Sequence, residues 1–282
     1  LCGNLLCDQM SVTLSDILNG IQSALSVKMY ETFVETGGGS KMDTMEDLQG
    51  FNLIFIITQV VGVILVILVG IWTGYYRGGF AWSSSPSLEF NWHPLLMTIG
   101  MIYFFANSIL IYRSLRTLRK DTLKKMHAAI HFTVLILVII AQIAVLDSHN
   151  LAKPNPIPNF YSLHSWAGIL TLIIFFLQYV FGFLGFLYPK FSDSLRAAML
   201  PVHVYLGLTA FVLACATSLM GLTEKAIFSI GNYSQFPSEG ILLNFIGIFI
   251  IVFAGFVLYL ATKLSYKRHN RPEDSNLLRA TE

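Results

Sequence analysis

Charged residues fall in blocks along this chain, and between the blocks lie six long stretches without Lys, Arg, Asp or Glu. They run approximately from Phe51 to Thr73, Pro94 to Tyr112, Met126 to Leu146, Leu163 to Tyr188, Met199 to Leu222 and Ile241 to Ala261. The hydrocarbon core of a bilayer is about 30 Å thick and takes roughly 20 apolar residues in helical form. A helix also satisfies its own backbone groups where water is absent. The pattern therefore predicts an all-α fold: a six-helix transmembrane bundle over residues 51–262, between polar segments at 1–50 and 263–282.

The N-terminal segment has acids scattered through it and a Gly-Gly-Gly-Ser run at Gly37 to Ser40. It lacks a charged start followed by an apolar core and a small-residue cleavage site, so no signal peptide is expected. Met10 to Val27 fits a weak amphipathic helix or a disordered tail equally, and both termini read as cytosolic tails. Composition agrees with the membrane class: 55% of the residues are apolar and 12% charged, against about 25% charged in a soluble domain. A net charge of +2 gives no reason to expect a nucleic acid partner.

Where the charges sit matters more than their sum, because Lys and Arg are retained on the cytosolic side. One side receives Arg113, Arg116, Arg119, Lys120, Lys124 and Lys125, then Lys190 and Arg196, then the Lys and Arg of both termini, fifteen in all; the other receives only Arg77, Lys153 and Lys225. The first side is predicted cytosolic. Asn232-Tyr233-Ser234 is a glycosylation sequon, with Asn232 as acceptor, and it falls on the predicted outer side.

Cys2, Cys7 and Cys215 supply neither a disulfide framework nor a paired metal spacing, and no C-x-x-C-H motif is present for covalent haem attachment. The histidines are more informative. His93 and His164 open the second and fourth predicted helices from the outer side. His127 and His203 lie near the cytosolic ends of the third and fifth. A single histidine at a helix end is an ordinary interfacial residue, but four at two matched depths point to two metal macrocycles, each with two axial imidazoles. Zinc handling by a histidine-dependent transporter or metal-binding protein is the alternative; it would want carboxylates inside the helices, and none is there. His131 lies one turn from His127 on the same face, so spacing leaves open which of them is the ligand. Ser162, Ser165 and Thr209 are candidate partners for ligand imidazoles, and Gly168, Gly182, Gly185 and Gly207 are positions where a macrocycle or a neighbouring helix would approach closely.

The strings FNWHP at His93, KKMHAAIH at His127, YSLHSW at His164, LRAAMLPVHVYLG at His203 and GLTEK at Gly221 to Lys225 resemble the cytochrome b561 family, in the right order over roughly Gly74 to Lys267. The resemblance implies an ascorbate-dependent transmembrane oxidoreductase with two noncovalent b haems in a four-helix core, helices two to five. It pairs His93 with His164 on the outer haem and His127 with His203 on the cytosolic haem, which selects His127 over His131. It also implies a cytosolic ascorbate site at Lys124, Lys120, Arg113 and Arg196. On the outer face it implies an acceptor site at His149, taking ferric iron or monodehydroascorbate, with Asn150, Phe90 and Tyr233 nearby. An acidic dileucine pattern, Glu273 to Leu278, points to late endosomes or lysosomes, as does YYRGGFAW before the second helix, with secretory vesicle or plasma membrane as competitors. Apolar helix faces are compatible with a homodimer.

Overall fold

A computed structural model describes residues 48–269. Six helices in it are long and apolar enough to cross a membrane: α1 (Phe51–Tyr76), α2 (Pro86–Ser114), α3 (Lys120–Asn150), α4 (Leu163–Phe186), α5 (Asp193–Ser229) and α6 (Ser238–Thr262). Among the described residues there is no strand. The all-α six-helix expectation therefore stands, while the helix ends move. α3 has 31 residues and α5 has 37, lengths of about 46 and 56 Å at 1.5 Å per residue. Both overshoot the uncharged runs because helix continues past the hydrocarbon, where Lys120, Asp121 and Lys124 in α3, and Asp193 and Arg196 in α5, can reach water.

α2 departs most from regular helix. It begins as a short turn, Pro86–Glu89, resumes at Trp92–Met97, passes through a π-helical stretch at Thr98–Phe104 and ends as α-helix over Phe105–Ser114. Asn91 occupies the first break and donates from Nδ2 to the Gly79 carbonyl at 2.6 Å and the Arg77 carbonyl at 3.1 Å. It thereby satisfies loop backbone where helix is interrupted. A π stretch changes the phase of a helix, and such stretches concentrate at functional sites. Here residues on both sides of it, His93 and Ser108, face α3.

α2 is the most enclosed helix of the six. Its Met101, Ile102, Phe105 and Leu110 meet Leu65 and Trp72 of α1, Val134 of α3, Phe175 of α4, Phe211 of α5 and Ile246 and Phe253 of α6 in one buried cluster. α1 packs chiefly on α6 and α4 on α5. Lipid tails are as apolar as these side chains, so close packing rather than water exclusion holds the helices together. Gly62 of α1 permits such an approach: a Cβ there would lie 2.7 Å from both the Phe253 and Tyr103 rings.

Beyond α6 the chain turns under the bundle. Tyr266 is fully buried and donates to the Gln49 carbonyl at 2.9 Å. Arg113 Nη1 donates to the Lys263 carbonyl at 2.6 Å, Arg116 Nη2 donates to the Tyr266 carbonyl, and the Arg116 guanidinium lies 5.2 Å from the Phe51 ring centroid. The tail motifs read from sequence, Met10 to Val27 and Glu273 to Leu278, lie outside the described residues.

Candidate functional site

Four helices and four histidines make two pairs. The rings of His93 on α2 and His164 on α4 have centroids 6.2 Å apart and planes at 89°. Those of His127 on α3 and His203 on α5 also stand 6.2 Å apart, with planes at 69°. Two imidazoles sharing one metal ion at about 2 Å each would put their centroids about 6 Å apart, so each pair has a separation at which both rings could hold one metal ion.

The bracing is reciprocal. His93 on α2 turns its Nδ1 to the Ala141 carbonyl of α3 at 3.3 Å, and His164 on α4 turns its own to the Thr217 carbonyl of α5 at 2.9 Å. At the other end His127 on α3 turns Nδ1 to the Ser108 carbonyl of α2 at 2.9 Å, and Ser108 Oγ donates back to the His127 carbonyl at 3.2 Å. A carbonyl only accepts, so each of these three imidazoles carries its proton on Nδ1 and keeps the Nε2 lone pair for a metal. His203 is set by contact instead. Gly182 of α4 lies against its ring, where a Cβ would come within 2.9 Å of Cε1, and the Phe186 ring centroid is 5.5 Å away. Gly221 of α5 does the same for His164, at 2.7 Å from Cε1.

These features fit a b haem at each pair: opposed imidazoles, tautomers fixed by carbonyls, and glycines where the rings need room. Gly207, one turn past His203, would meet no protein atom within 4 Å of an added Cβ. Of the other glycines singled out by sequence, Gly168 faces Thr217 of α5, and Gly185 faces Met199 of α5 and Phe191 of the α4–α5 connection, which are contacts within the protein. The serines singled out as imidazole partners do otherwise: Ser162 caps α4 by accepting from the Ser165 backbone N–H at 3.3 Å. Among the described residues no three His, Cys, Asp or Glu side chains converge as metal ligands. His131 is buried beside the His127 ring, at 4.5 Å between centroids, and against Phe105 and Phe175; its Nδ1 has no hydrogen-bond partner.

At the His127 end, the charges bearing on Lys124 are those of Lys190, Arg196 and Lys120, opposed by Asp121. Asp121 pairs with Lys125 at 2.8 Å, and Asp193 pairs with Arg196. Arg113 stands apart from this group in its hydrogen bonding, since its guanidinium is engaged with the Lys263 carbonyl. At the His93 end, His149 Nδ1 is 3.0 Å from Asn159 Oδ1, and Asn159 Nδ2 donates to Asn150 Oδ1 at 2.8 Å. Charges from Lys225 and Glu224 bear on His149. The Lys225 ammonium sits 3.8 Å from the Phe90 ring centroid, and that ring is 6.2 Å from His93. Tyr233 bonds Asn244 at 2.6 Å instead of joining this group. Sequence reading had not singled out Asn159, Glu224 or Lys225 as site residues; GLTEK was the available signal for the last two.

The fold and the histidine pairs together define a multi-pass helical membrane protein with an opposed pair of imidazoles near each end of its bundle. Comparison with known proteins is specific. Residues 92–229 match the family model described as eukaryotic cytochrome b561, a segment that holds all four paired histidines. The transmembrane ascorbate-dependent reductase CYB561 of Homo sapiens is 41% identical over 221 residues, 78% of this chain and 86% of that protein. The plasma membrane ascorbate-dependent reductase CYBRD1 of Xenopus laevis is 42% identical over 228 residues, 79% of each chain. This chain belongs to the cytochrome b561 family, whose members are b-haem oxidoreductases.

Proposed function

We propose that the chain takes electrons from cytosolic ascorbate and delivers them to an acceptor on the outer face, ferric iron or monodehydroascorbate, with His93 and His164 holding one b haem and His127 and His203 a second. The observation that carries this reading is the 6.2 Å ring separation found at both pairs. Haem bound at each pair would supply a one-electron site near each face, which breaks a hydrocarbon span of about 30 Å into shorter steps.

The protein's own groups have separate tasks. Carbonyls of Ala141, Thr217 and Ser108 orient three ligand imidazoles, each accepting from Nδ1 so that Nε2 is left for a metal. Lys124, Lys120 and Arg196 concentrate positive charge beside His127, which attracts the ascorbate monoanion and slows its escape. Arg113 contributes to the same field while tied to Lys263. Each ascorbate yields one electron and a proton and leaves as monodehydroascorbate. On the outer side, His149 held by Asn159 presents an imidazole that can ligate ferric iron or hydrogen-bond monodehydroascorbate. The charge bias that makes both termini cytosolic leaves Asn232, exposed beyond α5, on the outer face and open to glycosylation. The Glu273 to Leu278 pattern favours a late endosomal or lysosomal membrane.

The test is optical. Purified haem-loaded protein should show an oxidised b-type spectrum that ascorbate alone converts to the reduced form. His164→Ala should lose one haem and keep the other, as should His203→Ala. A haem-reconstituted preparation that ascorbate leaves oxidised would overturn the donor assignment, and retention of both haems in His164→Ala would overturn the pairing.

A further inference from the structure

We propose that Lys190, in the connection between α4 and α5, is a further ascorbate-binding residue, one that sets affinity for the donor without taking part in electron transfer. The inference rests on the cytosolic donor reading above and adds to it a residue that neither motif nor spacing had marked.

Three observations meet at this position. The first is backbone. Lys190 has φ +74°, in the left-handed region that glycine or asparagine usually fills where a helix is terminated. Its N–H donates to the Leu184 carbonyl at 3.1 Å and the next N–H, of Phe191, to the Gly185 carbonyl at 3.0 Å. A lysine therefore stands, at some conformational cost, at the turn that ends α4. The second is location. Leu187 and Tyr188, just before it, line the same cleft of about 450 Å³ as Lys125, Ala128 and Ala129 of α3. The end of α4 thus adjoins the start of α3, within a turn of His127.

The third is charge. Lys190 acts on Lys124 more strongly than Arg196 or Lys120 does. Both nearby carboxylates are already committed, Asp121 to Lys125 and Asp193 to Arg196. Lys124 of α3 and Lys190 of the α4–α5 connection therefore converge beside the Arg196–Asp193 pair with more positive than negative charge. Like charges gathered this way are unfavourable in the empty site. An anion between them reverses the sign, and so compensates both the repulsion and the backbone cost. Ascorbate, an anion of small size, is the ligand already assigned to this mouth.

The decisive variant is Lys190→Gly, since glycine accepts φ +74° without penalty and the ammonium is removed with no new backbone strain. Full-length haem-loaded protein is reduced with varied ascorbate, and the rate of haem reduction is followed at low and high salt. Lys190→Gly should raise the half-saturating ascorbate concentration about threefold to fivefold at low salt, the range of one exposed charge contact, with the maximal rate unchanged. The salt dependence should flatten, Lys190→Arg should restore the wild-type value, and reduction by a neutral hydroquinone should be unaffected. Wild-type half-saturation and salt dependence in Lys190→Gly would overturn the proposal. So would an equal fall in rate with both reductants, which marks a purely structural role. Failure of ascorbate to reduce the wild-type protein is a different result, and it removes the donor reading itself.

Discussion

Gly221→Ala offers a direct trial of the reciprocal bracing, because it changes one helix in order to disturb a ligand on another. A Cβ at this position would lie 2.7 Å from His164 Cε1 and 2.9 Å from its Nδ1. The imidazole must therefore swing away from α5, and in doing so it leaves the Thr217 carbonyl to which its Nδ1 is held at 2.9 Å. Losing a hydrogen bond of this kind costs about 1 kcal/mol. Holding the ring off its preferred rotamer costs about 1 kcal/mol more. The sum, about 2 kcal/mol, is roughly a thirtyfold loss of haem affinity at the His93/His164 pair, within the range of about 10- to 100-fold seen when groups that orient metal ligands are changed.

Gly182→Ala is the mirror experiment. Its Cβ would meet His203 Cε1 at 2.9 Å, but no carbonyl bond to that ring is broken, so about 1 kcal/mol and roughly a fivefold loss is expected, at the other pair. Gly255→Ala, where an added Cβ meets nothing within 4 Å, is the control and should leave both sites unchanged. Titration of the apo-proteins with haem, followed through the Soret band and by haem-to-protein ratio, measures all three. If Gly221→Ala binds two equivalents with wild-type affinity, or weakens the His127/His203 site instead, the reciprocal arrangement is wrong.

Three further outcomes follow from particular contacts. Gly207→Leu meets no protein atom near its Cβ, so the bundle should keep its thermal stability in the apo form while haem binding at the neighbouring His203 weakens; equal weakening of apo stability would place protein, not cofactor, beside Gly207. Asn159→Ala frees His149 from its 3.0 Å contact and should slow electron delivery to ferric iron several-fold, about 1 kcal/mol for one orienting hydrogen bond, with the rate of haem reduction by ascorbate unchanged in stopped-flow traces. Gly62→Ala forces a Cβ to within 2.7 Å of Phe253 and Tyr103 and should destabilise the packing of α1 by about 1–3 kcal/mol, read as a lower detergent unfolding midpoint.

The six crossings were legible because a bilayer imposes a length and an absence of charge that few other folds share. The true ends of α3 and α5 were not, since nothing in a run of uncharged residues tells how far helix continues into water; the charged turns at Lys120 to Lys125 and Asp193 to Arg196 are helical all the same. The irregularity of α2 had a partial signal. Pro86 and Pro94 punctuate its start, but no residue type announces the π stretch at Thr98–Phe104, which packs against α1, α3 and α5.

At the site the division is chemical. Imidazole pairs were visible as histidines at matched depth, and the family likeness separated His127 from His131. The groups that orient them were hidden because they are main-chain carbonyls at Ala141, Thr217 and Ser108, and every residue has a carbonyl. Ser162 and Ser165, the hydroxyl side chains near His164 in sequence, bond each other's atoms at the α4 cap instead. The partner that matters is 53 residues away, reachable only because α5 runs beside α4. This has a mechanistic consequence. A carbonyl cannot take up or release a proton near neutrality, so it fixes the imidazole tautomer over a wide pH range where a carboxylate partner would add charge inside the membrane. The same economy would let uncharged helices hold two metal centres: the supports are neutral carbonyls, and charged groups lie at the two mouths, beside Lys124 at one and His149 at the other.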